Sequence, residues 1–418
     1  MRPFSRMNSR SMDLLVIAVA FLLMLFPNSA KGDANAPKPD SVSPFWNTDL
    51  HAAVGSLPLG LIVGRGHETT LQPKTSLWFC DNDTIVATFV TQEEKATLSS
   101  RDNSDPNQPL RLRGIFVDAN TGKITSTQVW PTSSRFAGVV AATDQGFVTQ
   151  RGITLTLYSS GARELKTLSL PPLPTEFWGW QAHPSPTGKS ILFATSDLTP
   201  TTSPRTWILL DTNSLQVVRS WEEVQSGWVG ISDVAVAMTA CTIWFYHCEP
   251  KVEIRDLTRE WESLAPLKIG ATSFPQFVNE DILFVSGEPW KLLQTSGKPI
   301  LTENVPFEGS TAVSSAGGQR FVVPFFRLTG RVAALDIGGH GELKTISIYD
   351  APFHERSYRL RVKSPKITER ALLALSPDGS KLAVLYDETL YVFQLPLGPG
   401  ISSPTLTRRR SDNSNHWR

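Results

Sequence analysis

From about residue 80 to residue 396 the chain repeats one pattern: an apolar run, a tight polar turn, and a second apolar run of four to seven residues. The clearest copy is Ala371–Tyr386, where Pro377 presets φ and Gly379 supplies the positive φ that a chain reversal needs. Comparable turns fall at Asp81–Asp83, Thr143–Gly146, Pro186–Lys189, Met238–Thr242, Asn279–Asp281, Ala316–Gln319 and Pro377–Ser380. Most are followed by runs such as Thr84–Val90, Ser190–Ala194, Thr242–Tyr246, Asp281–Val285, Arg320–Val323 and Lys381–Leu385. Short apolar runs bounded by turn residues read as buried strands.

A second hairpin completes most repeats, at Phe116–Thr125, Leu157–Leu165, Leu209–Val218 and Leu293–Ile300. Asp81 and Asp378 are six repeats and 297 residues apart, about 50 per repeat, against the ~40–50 of propeller blades. The pattern therefore predicts an all-β chain forming a single β-propeller, with seven four-stranded blades. Blades 2 and 5 carry the weakest signals, so counts of six and eight stay open. The last repeat ends after three strands, at Thr389–Leu395. Leu57–Val63 is the spare segment expected to supply its fourth strand, closing the ring by pairing the two chain ends and removing two exposed sheet edges.

Composition changes this picture at the ends. Arg2, Arg6 and Arg10 precede an apolar run at Leu14–Phe26, and Ala30-Lys31-Gly32 has the small residues of a cleavage site. Such a run is shorter than the ~20 residues of a membrane span. Residues 1–32 therefore read as a cleaved signal peptide and 33–56 as a linker, followed by the propeller at 57–396 and a tail at 397–418. The tail is rich in Pro, Gly and Ser and reads as disordered, with the Arg408–Arg410 charge in water. The expected location is outside the cytoplasm, periplasmic or secreted, with no membrane span after cleavage.

Without its first 32 residues the chain loses Arg2, Arg6, Arg10, Lys31 and Asp13, leaving 36 basic and 38 acidic residues, net −2. A near-neutral body lacks the basic footprint of a nucleic-acid binder. Of three cysteines, Cys241 and Cys248 flank one expected strand, which puts them ~23 Å apart against the ~7 Å limit for a disulfide. Whether Cys80 pairs with either stays open. No cysteine or histidine spacing fits a zinc site, and no metal or cofactor is assigned.

The hairpin at Ser376–Ala383 resembles the repeats of exported bacterial propellers of the WD40-like, YVTN and quinoprotein amine dehydrogenase-like group. The turn at Asp118–Lys123 is similar to that of quinoprotein repeats. The resemblance covers about residues 57–396 and implies the fold. In the amine dehydrogenase group it further implies a propeller that holds a separate catalytic subunit. No blade carries Trp-Asp with a partnering His, and the adjacent cysteines of quinoprotein alcohol dehydrogenases are missing.

In a propeller, the loop leading into each innermost strand shares one channel mouth with the loop between the second and third strands. Phe136, Trp178, Trp180, Trp228 and Phe274 fall at such positions, with His183 beside them. Aromatic faces there suit peptides, glycans or cationic groups, while the competing reading packs the same rings between blades. Thr91–Pro109 and Asp197–Arg205 are long loops directed to the same mouth. No nucleophile elbow, metalloprotease or phosphate-loop motif occurs, so no catalytic residue is assigned.

The leading reading is an exported noncatalytic propeller that binds a protein or glycan of the cell envelope at an aromatic-rich mouth. The alternative is a periplasmic lactonase, hydrolase, or quinone- or metal-dependent oxidoreductase, for which Asp233, Gln181, Gln276 and Arg370 are the polar candidates near inner strands.

Overall fold

A computed structural model describes residues 40–54, 75–92, 110–134, 137–173, 177–197, 204–223, 229–239, 251–258, 263–268, 275–286, 290–303, 312–315, 318–328, 341–353, 358–363, 367, 371–386 and 388–396. The described chain opens with β1 (Asp40–Val42), β2 (Trp46–Asp49) and a single-turn helix, α1 (His51–Val54). Blade 1 is β3 (Ser76–Phe79), β4 (Thr84–Gln92), β5 (Leu110–Asp118) and β6 (Ile124–Thr132). Blade 2 is β7 (Gly138–Thr143), β8 (Gly146–Arg151), β9 (Thr154–Ser159) and β10 (Glu164–Ser169). Blade 3 is β11 (Phe177–Pro184), β12 (Ser190–Asp197), β13 (Arg205–Asp211) and β14 (Gln216–Glu223).

Blade 4 is β15 (Val229–Ile231), β16 (Ala235–Thr239), β17 (Lys251–Asp256) and β18 (Ser263–Lys268). Blade 5 is β19 (Pro275–Phe277), β20 (Ile282–Val285), β21 (Trp290–Gln294) and β22 (Pro299–Glu303). Blade 6 is β23 (Val313–Ser314), β24 (Arg320–Leu328), β25 (Gly341–Asp350) and β26 (Tyr358–Val362). Blade 7 has three strands of its own, β27 (Leu372–Leu375), β28 (Lys381–Tyr386) and β29 (Thr389–Gln394). Within each blade the consecutive strands pair as an antiparallel meander. Its strands are called A to D from the central channel outward.

Seven sheets in a ring make a seven-bladed β-propeller with almost no helix. The ring explains the sequence pattern. Strands B and C of a blade are covered on both faces by neighbouring blades, so β8 and β9 are buried almost throughout. The outermost β10, against water, is exposed at five of six positions. Runs buried on both faces lose the alternation of a one-sided sheet.

The core is divided in the same way. Seven apolar clusters sit one at each junction between adjacent blades, from Val86, Phe116, Phe147 and Tyr158 between blades 1 and 2 to Ile85, Ile115, Ala383 and Val392 between blades 7 and 1. Each fully buried Val, Leu, Ile or Phe contributes about 1.5–3 kcal/mol. Stability therefore depends on the ring being closed.

Closure uses a different segment from the one the sequence predicts. Trp46–Asp49 pairs antiparallel with β29, Trp46 opposite Val392, and becomes strand D of blade 7. This strand lies in the stretch read as a linker, and Leu57–Val63 lies outside the described residues. Trp46 fixes the pairing through Nε1, which donates to the Ala119 carbonyl at 3.1 Å, while Thr48 donates to Gly122 O at 2.7 Å. In addition, β1 pairs in parallel with β26, so blade 6 has five strands.

Six of the seven expected first turns join A to B strands as read. Blade 4 is the correction: its turn is Ser232–Val234, and Met238–Thr239 belongs to β16. Ser232 makes that turn with its hydroxyl, which accepts the N–H of Ala235 at 3.0 Å. Thr242–Tyr246, Cys241 and Cys248 lie outside the described residues.

Candidate functional site

The seven A strands surround a channel of about 620 Å³, a volume within the range of small-ligand cavities. Every blade contributes to its wall, among them Trp78 and Asp81 from blade 1, Asp144 from blade 2, His183 from blade 3 and Ser314 from blade 6. The blades approach closely at this radius. A Cβ on Gly230 of β15 would lie 2.6 Å from the Pro275 carbonyl of β19, so only glycine fits between these inner strands.

One end of the channel is rimmed by the A–B turns, none longer than five residues. Several of their side chains make local and interblade bonds. In blade 7, the Ser376 hydroxyl donates to Asp378 Oδ1 at 2.6 Å, and Asp378 accepts from the N–H of Ser380 at 3.0 Å. The Asp378 N–H reaches Asn82 Oδ1 of blade 1 at 3.0 Å, and Lys381 Nζ donates to Asn82 O at 2.8 Å. Burial pushes the Asp378 carboxyl up, but hydrogen bonds from Ser376 and Ser380 outweigh it and hold the group below the usual range.

Similar links join Thr187 Oγ1 to Asp233 Oδ2 at 2.6 Å between blades 3 and 4, and Asn279 Nδ2 to Gly318 O at 3.4 Å between blades 5 and 6. Arg320 performs this role between blades 6 and 7. Its guanidinium bonds both Asp350 oxygens and the carbonyls of Gly379 and Pro396.

The opposite end is formed by the D–A and B–C connections. Four B–C connections are long, over residues 93–109, 198–204, 240–250 and 329–340. The two long loops expected from the sequence, in blades 1 and 3, lie almost wholly outside the described residues. Phe136, Trp228 and Phe274 lie outside the described residues. Trp178 is on β11, and its side chain is outside the described set.

Trp180 is only 4% exposed and packs with Val140, Leu155, Ile191 and Phe193 between blades 2 and 3. Its Nε1 donates to Pro171 O at 3.2 Å. The pairing of β11 with β12 shifts register between Phe177 and Gly179. His183, from the same strand, lines the channel.

Among the other polar candidates, Gln276 also lines the channel, and its amide donates to Ala312 O at 2.5 Å. Asp233 accepts from Thr187, Gln181 is exposed on β11, and Arg370 lies outside the described residues. Asp81, Asp144 and Ser314 line the channel, although the sequence reading takes none of them as a site residue. Their position at the end of an A strand, just before or within its turn, was the available signal. Cys80 is buried beside them, and burial pushes its thiol pKa well up, away from the reactive thiolate. Among the described residues, no three His, Cys, Asp or Glu side chains gather closely enough to hold a metal. No helix among them is long and apolar enough to cross a membrane.

No known protein family matches this chain. No curated protein matches it either. Among solved structures, the WD40 domain of Neurospora crassa Pan2 is 11% identical with a TM-score of 0.48, over 78% of this chain and 89% of that one. The Dos1 propeller is 11% identical with a TM-score of 0.45, over 84% and 95% of the two chains. BamB from Moraxella catarrhalis is 10% identical with a TM-score of 0.36, over 77% and 84%. At such identities these similarities carry nothing about ligand or activity.

Proposed function

We propose that this propeller is a scaffold for protein–protein contact, and that its partner is held across the B–C and D–A face. The asymmetry of the two faces supports this reading. The A–B turns are short and carry many bonds within and between blades, whereas 17, 11 and 12 residues, all outside the described set, stand between strands B and C of blades 1, 4 and 6. Long connections on a rigid scaffold are where binding residues concentrate. The proposal assigns Phe136, Trp178, Trp228 and Phe274 to this face from their place in the chain. Trp180 belongs to the core and is not part of the proposed contact.

The proposal includes export directed by residues 1–32, supported by their basic, apolar and small-residue pattern. The test is affinity capture with three chains of equal melting temperature: wild type, Trp178→Ala/Trp228→Ala, and Asp144→Asn/Glu280→Gln on the opposite face. Loss of the partner only in the tryptophan variant supports the proposal. Capture unaffected by the tryptophan substitutions but lost with the acidic ones overturns it.

A further inference from the structure

The A–B face has a second property, its charge. Asp81 and Asp144 line the channel at this end, Asp83 is exposed in the same turn as Asp81, and Glu280 and Asp281 are exposed in the blade 5 turn of the same face. Of the basic residues described in these turns, Arg320 and Lys381 are buried. Arg320 is committed to Asp350 and two carbonyls, and Lys381 to Asn82 O and, at 3.9 Å, to Asp83, while Lys189 is exposed. Within the channel wall, Ser314 Oγ is buried without a hydrogen-bond partner. A cavity with carboxylates at its rim and an unmet hydroxyl in its wall offers acceptors to a cation rich in donors, such as a guanidinium.

The chain leaves the propeller on this same face. After β29 the Leu395 N–H bonds Ser380 O at 2.8 Å, within the A–B turn of blade 7. Pro396 O then accepts from Arg320 Nη1 at 2.8 Å and from the Tyr358 hydroxyl at 2.6 Å. Strand β29 lies two strands out from β27, about 10 Å from the innermost strand. Arg408 lies twelve positions beyond Pro396, a reach of up to about 40 Å when extended. Arg408-Arg409-Arg410 follows, and no acidic residue stands between Pro396 and Asp412.

We propose that Arg408–Arg410 docks on the A–B mouth of its own channel, so that this mouth is occupied by the chain's own basic segment. The tether makes the contact intramolecular, with an effective concentration in the millimolar range, so modest attraction suffices. Any other basic segment must then displace it. The proposal holds whichever protein meets the opposite face, and does not depend on the scaffold reading above.

Trace trypsin treatment of the full chain tests it, with cleavage after Arg408–Arg410 followed by intact mass. A synthetic peptide of residues 400–414 in the same solution is the reference. In about 0.02 M salt the segment is expected to be cut at least ~10-fold more slowly than the peptide, and the gap is expected to close near 1 M salt, where the screening length falls to ~3 Å. Asp81→Asn/Asp144→Asn/Glu280→Gln/Asp281→Asn should be cut at the peptide's rate at both salts. A milder variant, Glu280→Gln/Asp281→Asn, changes only exposed turn carboxylates and should lose part of the protection. Cleavage of wild type at the peptide's rate in low salt overturns the proposal, and so does protection that survives neutralisation of the rim.

Discussion

Arg320→Ala is expected to destabilise the propeller by about 3–5 kcal/mol, the usual result of removing one partner from a buried ion pair. The side chain is 1% exposed at the start of β24. Its Nε and Nη2 donate to Asp350 Oδ1 and Oδ2 at 2.5 and 3.0 Å, and Nη1 donates to the Gly379 and Pro396 carbonyls at 2.8 Å each. Truncation removes the Arg320 charge from beside the Asp350 carboxylate, itself 9% exposed, between blades 6 and 7. Two carbonyls lose a donor at the same time, each worth on the order of 1 kcal/mol, which favours the upper half of the range. The assay is urea unfolding followed by circular dichroism, with the midpoint compared at constant slope. Arg320→Ala/Asp350→Asn also removes the charge that Arg320 balances and should recover part of the loss, because much of the cost is the loss of that counter-charge. A loss below about 1 kcal/mol, or no recovery in the double variant, refutes the reasoning.

Two further outcomes follow from local geometry. The Glu388 carboxylate lies 2.5 Å from His51 Nδ1, and its hydrogen bond and charge raise the imidazole pKa above 6.5. A group raised on folding stabilises in its protonated form, so this contact contributes below the ordinary imidazole pKa and fades as pH rises through the raised folded value. NMR titration of His51 should show a midpoint above 6.5 that returns toward it in Glu388→Gln, and an unshifted wild-type midpoint contradicts the ion pair. Gly188→Ala should cost clearly more than Gly152→Ala. Both have φ near +70°, but a Cβ on Gly188 would lie 1.9 Å from the Ala142 carbonyl of blade 2, whereas at Gly152 the nearest atom is 3.7 Å away. The shared left-handed backbone costs about 1–2 kcal/mol in each, so equal melting temperatures for the two variants contradict the interblade contact.

The turns and strands were legible because their causes are local. Ser376-Pro377-Asp378-Gly379 folds through bonds spanning two to five residues, and Gly379 takes its φ of 70° whatever lies beyond the hairpin. Repeating such units about every 50 residues was enough to give the blade count. Blade 4 was misread because Val234–Met238 is a continuous apolar run with no glycine or proline at its true turn, where the Ser232 hydroxyl does the work. The tertiary structure alone decided which segment closes the ring. Trp46 and Val392 pair across 346 positions of the chain, and pairing at that separation depends on which strand edge is unpaired and within reach, which no local pattern records. It also decided that Trp180 is core and that Arg320 is buried. Periodicity tells which residues share a strand face, but the neighbouring blade, brought in from elsewhere in the chain, determines what that face meets.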